Sequence, residues 1–275
     1  MADRRPSNQL PCQFAFRKLK ANYSNLWGEL ATGKFRPNPH WSLNPEPQTK
    51  FPELGFHCCM GKSLIIYGAG YPDIVKVIDA INAKSDTWSI LGFIDDSPEK
   101  PGDDLLGYPI IGNHLRITEF NHEDTWFFNN VYSSTLKRKR ITERLLRLSC
   151  QLGRIIDPGV DLAYAEVGRG TIINKGVCIG SRVRIGQHCA IRFNSVINHD
   201  NDLADHVFVA PGATLCGRVT IKSGAYIGAG STILEDVTVG EDAIVGAGAV
   251  VTQDVPNGET VIGIPARPRQ LHNVS

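Results

Sequence analysis

The tripeptide Asn198-His199-Asp200 and Gly217, eighteen residues after His199, are the positions best suited to chemistry in this chain. If eighteen residues close one turn of a coil, an imidazole and an unobstructed glycine N–H lie one above the other on adjacent turns. His199 could then take a proton from an attacking hydroxyl or amine. The Gly217 N–H could support the oxyanion that forms on an attacked thioester carbonyl. Asp200 could orient or charge-stabilise the histidine, although an adjacent residue can also point elsewhere. On spacing alone, His199 also reads as a corner histidine without a task.

The elements that must hold these groups are written as a period. From Val167 to Val251 an aliphatic residue returns every six positions, fifteen times without an insertion. A small or β-branched side chain follows each by four residues, with Asn201 the polar exception. A helix repeats every 3.6 residues and a strand every two, so neither accounts for a period of six. A parallel β-helix does, each hexad giving one short strand and one corner, three hexads closing a coil and fifteen giving five coils. Each inward aliphatic side chain contributes about 1.5–3 kcal/mol when fully buried, so this column dominates the stability of the stack.

The 275 residues suggest two domains, and a formal charge of +1 gives no general reason to expect nucleic acid or an anionic membrane as partner. No apolar run reaches the roughly 20 residues of a membrane span, so the chain reads as soluble, without membrane insertion. The opening MADRRPSNQL lacks the apolar stretch of a secretory signal, which points to a cytoplasmic location. Seven cysteines (12, 58, 59, 150, 178, 189, 216) include no CxxC pair and read as buried or free thiols in a reducing compartment. Cys178 and Cys189 fall within the hexads, where a small apolar side chain fits.

Four regions are expected. Residues 1–60 form a poorly ordered extension, rich in Pro, Asn and Trp, with eight basic against four acidic residues; Met60 opens the functional unit. Residues 62–152 form a Rossmann-like α/β domain. A strand at 63–67 runs into Gly68-Ala69-Gly70, a helix begins at Pro72-Asp73, and a second strand at 89–94 ends in Asp95-Asp96. Further strands lie at 108–112 and 125–128. A basic helix over 136–152 presents Lys137, Arg138, Lys139 and Arg140 as a solvated face. Residues 155–258 form the β-helix, ended by the turn Pro256-Asn257-Gly258, and 259–275 form a tail.

Two further arrangements are readable. His188 and His206 are also eighteen apart and should stack; with His199 they could bind zinc at a subunit interface. Cys216, beside Gly217, could in principle carry an acyl group or be packed and inert.

The uninterrupted hexads resemble the left-handed β-helix of hexapeptide acyltransferases. Gly68-Ala69-Gly70, Phe93-Ile94-Asp95-Asp96, Ile156-Asp157-Pro158, Ile197-Asn198-His199-Asp200, Ala210-Pro211-Gly212-Ala213 and Val261-Ile262-Gly263-Ile264-Pro265-Ala266-Arg267 together resemble the NeuD/PglD-type sugar acetyltransferases, over roughly residues 62–270. The resemblance implies acetyl transfer from acetyl-CoA, as co-substrate and without a metal, to a sugar amine or hydroxyl. A nucleotide-linked amino sugar is preferred, ahead of O-acetylation of a sialic acid or surface polysaccharide. It implies His199 as general base with Asp200 as its acidic neighbour, Gly217 at the thioester, and CoA along Gly217, Ala229, Pro265 and Arg267. The sugar is expected against Gly68, Ala69, Gly70, Asp95 and Asp96, in a homotrimer with sites between subunits. Two positions depart from the family. Tyr71-Pro72-Asp73 replaces further glycines and sets a negative charge at a helix start that would otherwise welcome phosphate. Phe208 stands where a histidine is common. The other classes open to the sequence are a carbonic-anhydrase-type zinc enzyme on this fold and a catalytically silent scaffold.

Overall fold

The computed structural model describes residues 61–97 and 104–269. The expectations for residues 1–60, including Met60 and Cys12, Cys58 and Cys59, lie outside the described residues.

The α/β part is a six-stranded sheet in the order β3-β4-β2-β1-β5-β6. Its strands are β1 (Lys62–Tyr67), β2 (Trp88–Ile94), β3 (Asp104–Leu105), β4 (Tyr108–Gly112), β5 (Thr125–Asn129) and β6 (Gln151–Leu152). The pairs of β1 with β2 and β5, β2 with β4, and β5 with β6 are parallel; only β3 runs antiparallel, against β4. β1 sits centrally because Leu64, Ile65 and Ile66 are apolar on both faces, as a strand covered on both sides requires. The helix Asp73–Asn82 turns Ile74, Val77 and Ile78 inward at the expected spacing.

The second helix, Thr135–Arg147, is capped by the Ser134 hydroxyl and is shorter than expected. Ser149 takes a left-handed backbone with φ 56°, and 151–152 leave to join the sheet edge. Its basic run is only in part a solvated face: Lys137 and Arg140 are exposed, but Arg138 and Lys139 are not. Arg138 is only 2% exposed, because the helix turns this position toward the coils, and Lys139 pairs with Asp242 at 2.6 Å.

From Ile155 the chain winds as a left-handed parallel β-helix with three sheets. Sheet I stacks strands at 178, 196, 214, 232 and 250; sheet II stacks those at 166, 184, 202, 220 and 238; sheet III carries 155, 172, 190, 208, 226, 244 and 260. Paired residues are eighteen apart through the middle coils, as in Ile179↔Ile197, Ile197↔Leu215 and Leu215↔Ile233. The aliphatic column forms the interior, with Ile197, Leu215, Ile227 and Val245 fully buried. Each corner contains one residue of left-handed φ, including His188, Asp200, His206, Asp236 and Asp242, residue types that tolerate this region better than β-branched ones. The turn at 256–258 is followed by a further rung: Thr260–Ile262 pairs with the strand at 244, and Arg267–Pro268 folds back on it antiparallel. Cys189 is buried, as its hexad position suggested, but Cys178 faces outward and is exposed; all four described cysteines are free.

Sheet III differs from the other two on its outer face. Ile172, Ala190 and Phe208 point outward there, yet are buried against Leu64, Ile66, Ile74 and Phe128 of the α/β part. Sheets I and II carry Thr214, Thr232, Asp202, Thr220 and Thr238 at the equivalent positions. The α/β part docks on sheet III, where a run of apolar side chains, Ile172, Ala190 and Phe208, excludes water.

Candidate active site

His199 stands at the corner between sheets I and II, and the hexad geometry fixes what surrounds it. Its Nδ1 lies 2.7 Å from Asp200 Oδ2, and Arg182, one coil earlier, donates to Asp200 through Nε at 2.5 Å and a terminal nitrogen at 2.8 Å. These hydrogen bonds, from Arg182 first and His199 next, hold the Asp200 carboxyl well below the usual carboxylate range. With an ionised acceptor at Nδ1, the neutral ring carries its proton there and leaves the Nε2 lone pair free.

The corner backbone is tied down by Asn201, whose side-chain amide donates to the carbonyls of Asn198 (2.7 Å) and Cys216 (2.9 Å) and accepts from the Val219 N–H (3.0 Å). The polar exception in the small-residue column is thus a staple between two coils. Gly217 lies against the imidazole: a Cβ built there would sit 2.6 Å from His199 Cε1 and 2.8 Å from Nε2. Only glycine leaves room for the ring. Among the described residues the Gly217 N–H donates no hydrogen bond, whereas its neighbour Arg218 donates to the His199 carbonyl at 3.0 Å.

Arg182 is the residue that sequence reasoning missed, although counting eighteen back from Asp200 reaches it. The pairing itself is not unique. Arg218 and Asp236 repeat it with a 2.6 Å contact on sheet II's edge, and Asp236 occupies the same left-handed corner position. What separates the Arg182–Asp200 pair is the histidine joined to it.

The remaining expected residues form separate groups. The Ala69 N–H donates to Asp95 at 2.8 Å, so the Gly68-Ala69-Gly70 turn and the end of β2 are joined, with Gly68 at φ 105°. Asp96 accepts from the Tyr67 hydroxyl (2.5 Å) and the His114 N–H (2.9 Å). Asp73, at the helix start, lies 3.5 Å from Lys76. Ala229 is exposed at the corner between sheets III and I, and the Pro265-Ala266-Arg267 tail is anchored by the Ala266 N–H donating to Val250 at 2.8 Å. That corner is smooth: a Cβ built on Gly212, Gly230 or Gly248 meets nothing within 4 Å. Within one chain, the turn at 68–70 belongs to the part docked on sheet III, and His199 belongs to the opposite corner of the coil.

Within one chain the three histidines do not come together. His188 and His206 stack with ring centroids 5.1 Å apart, but at the corner between sheets II and III, away from His199. Among the described residues no three His, Cys, Asp or Glu side chains converge as a metal set. Phe208, the second departure, is packed face to face on Tyr226 at 4.9 Å and belongs to the docking face.

Comparison with known proteins agrees with this architecture. Residues 63–145 match the PglD N-terminal domain, and residues 218–253 match the bacterial transferase hexapeptide repeat. The two matches fall on the α/β sheet and on the later coils respectively. A PglD-type N-terminal domain ahead of hexapeptide coils makes the chain similar to the NeuD/PglD-type sugar acetyltransferases. The bifunctional protein GlmU of Syntrophotalea carbinolica is 39% identical over 89 residues, 31% of this chain and 18% of that protein. A GDP-perosamine N-acetyltransferase of Escherichia coli O157:H7 is 37% identical over 102 residues, 37% of this chain and 46% of that protein. The chain thus spans less than half the length of these curated relatives. Among solved structures, PerB of Caulobacter crescentus in complex with CoA and GDP-perosamine is 26% identical with a TM-score of 0.68, covering 76% of this chain and 97% of that one. The acetyltransferase domain of PglB from Neisseria gonorrhoeae, in complex with acetyl coenzyme A, is 28% identical with a TM-score of 0.68, covering 76% and 100%.

Proposed function

We propose that this protein transfers the acetyl group of acetyl-CoA to the amine of a nucleotide-linked amino sugar, by direct attack in a ternary complex. The observation that carries the reading is the His199 Nδ1 to Asp200 contact of 2.7 Å, with the same ring lying on Gly217 of the next coil. The solved relatives, described in complex with CoA and GDP-perosamine or with acetyl coenzyme A, support the substrate class.

Acetyl-CoA, when bound, supplies the thioester carbonyl. His199 Nε2 accepts the proton of the acceptor amine as the new N–C bond forms. Asp200, held ionised by Arg182, stabilises the imidazolium that results. The Gly217 N–H donates to the carbonyl oxygen as that oxygen gains charge. His199 then returns its proton to the departing thiolate, so no other acid is required.

The separation of the 68–70 turn from His199 within one chain supports a homotrimer in which one chain's α/β part meets its neighbour's coils. Ala229, Pro265 and Arg267 would border the CoA path, and Gly68, Ala69, Gly70, Asp95 and Asp96 the acceptor. We assign the reaction to the cytoplasm, in keeping with the free thiols of the four described cysteines; no helix among the described residues is long and apolar enough to cross a membrane.

The test is a screen of UDP- and GDP-linked amino sugars, free sialic acids and glycans with labelled acetyl-CoA, for the wild type and His199→Ala. N-acetylation of a nucleotide-linked amino sugar is expected, falling by about 10²–10⁴-fold in the variant with an unchanged melting temperature. Unchanged turnover in His199→Ala removes the general base. Transfer to hydroxyls only removes the amine acceptor.

A further inference from the structure

Where the Gly68–Tyr71 turn meets the corner between sheets III and I, several polar side chains are buried without partners. Arg192 is 6% exposed, and its guanidinium carbon lies 4.7 Å from the Tyr132 ring centroid, 5.5 Å from Phe193 and 6.0 Å from Tyr71. Among the described residues it makes no ion pair and donates no side-chain hydrogen bond. Asn174 holds the same corner position one coil earlier. It is 0% exposed, and neither its amide nitrogen nor its oxygen has a partner. Asn130 Oδ1 is buried and unpaired beside them, and the buried Tyr132 hydroxyl faces Arg138 with its own O–H left to donate.

The neighbouring cation behaves differently. Arg138 packs 4.8 Å from the centroid of the same Tyr132 ring, but donates to the carbonyls of Asn129 (2.8 Å) and His188 (3.1 Å). One guanidinium is therefore consumed in joining the α/β part to the coils, and the other retains its donors. Aromatic faces attract a cation but do not satisfy N–H groups. Guanidinium donors match two oxygens of a phosphate or carboxylate. Asn174 and Tyr132 add neutral donors, and the acceptor atoms Asn174 Oδ1 and Asn130 Oδ1 suit a hydroxyl or amine on the same ligand. The adjoining turn is open at Gly70, where an added Cβ meets nothing within 4 Å.

We propose that Arg192, with Asn174 and Tyr132, binds an anionic group, a phosphate or a carboxylate, carried by the acceptor substrate. That the ligand is the acceptor rests on the acetyl-transfer reading; the anion site does not. Arg192 supplies the positive charge that Asp73 denies to the helix start, so specificity for an anionic acceptor is carried by the coil corner.

Calorimetry and thermal shift with GDP, UDP, N-acetylneuraminic acid and inorganic phosphate, on the full chain, test this. Binding of either nucleotide locates the anion in a diphosphate, and binding of the acidic sugar alone locates it in a carboxylate. Arg192→Gln is expected to weaken whichever probe binds by about ten- to hundredfold, with Arg192→Lys recovering part and the ligand-free melting temperature not lowered. Asn174→Asp, which sets a negative charge beside the guanidinium, is expected to weaken the same probe and serves if Arg192→Gln fails to fold. No probe bound by the wild type, phosphate bound alone as an adventitious ion only, or equal affinity in the variants would overturn the site. So would a lowered melting temperature with binding intact, which would make Arg192 a packing residue. Absent amino-sugar turnover with Arg192-dependent binding retained would remove the acetyl-transfer reading and leave the site. Normal turnover with binding indifferent to Arg192 would remove the site alone.

Discussion

At the corner between sheets I and II, Arg182, Asp200, His199 and Asn201 are each engaged by named partners, although three of the four reach solvent. Under the α/β sheet the order is reversed: Asn174 and Asn130 Oδ1 are buried and lack partners, Arg192 is 6% exposed with only aromatic rings against its guanidinium, and His188 stacks on His206 with the His206 Nδ1 unpaired. An exposed network can afford to be complete before any ligand arrives, because water tolerates its charges. A buried polar set left open is stable only if it gains something on binding, or if apolar docking around it outweighs the cost. The proposed proton transfer falls to the free corner, and the proposed recognition to the seam that joins the two parts.

The seam should break first with acid. Burial, then the charges of His206 and Arg138, push the His188 imidazole down from 6.5 to about 4, and His206 shifts the same way. A base whose folded pKa is depressed takes up protons preferentially when unfolded. Stability is therefore complete above about pH 6.5 and is lost as pH falls toward 4, by up to about 3 kcal/mol for His188. Thermal melts from pH 7 to pH 4.5 measure it, and His188→Gln should flatten the slope. A slope that survives in the variant would assign the acid sensitivity elsewhere.

Gly217→Ala attacks the free corner by shape alone. The added methyl collides with His199 at 2.6 Å while the backbone N–H is kept. Turnover should fall by about a hundredfold as the ring is displaced, with little change in melting temperature; full activity would show that the ring does not work from this position.

Arg182→Gln is the mildest change. Loss of its two hydrogen bonds lets the Asp200 pKa rise, so the acid limb of the kcat/KM profile should move to higher pH and turnover should drop a few-fold, less than about tenfold. Arg218→Gln, which removes the matching ladder pair without an attached histidine, is the control expected to leave the profile in place. Identical profiles for the two variants would reduce Arg182 to a surface ion pair.

Legibility in the sequence followed periodicity. The register Ile179↔Ile197↔Leu215 and the approach of His199 to Gly217 both follow from counting eighteen, so fold and candidate site could be read together. The same count would have reached Arg182. Arg138 could not be found this way: amid Lys137, Lys139 and Arg140 it looks solvated, and only the docking of helix 135–147 on the coils buries it. The extra rung at 260–262 was hidden because its pairing with 244 breaks the count, with Ile244 opposite Thr260.

The sequence by itself determined the coils, since a hexad's inward aliphatic and its corner residue are local choices repeated until only one winding satisfies them all. It also determined which histidine meets which glycine, a matter of arithmetic along one chain. Which face the α/β part covers, which of two arginines keeps its donors, and on which side of the stack the acceptor turn falls were decided only by tertiary structure. Those depend on contacts between segments far apart in sequence, where no period connects one residue to its partner.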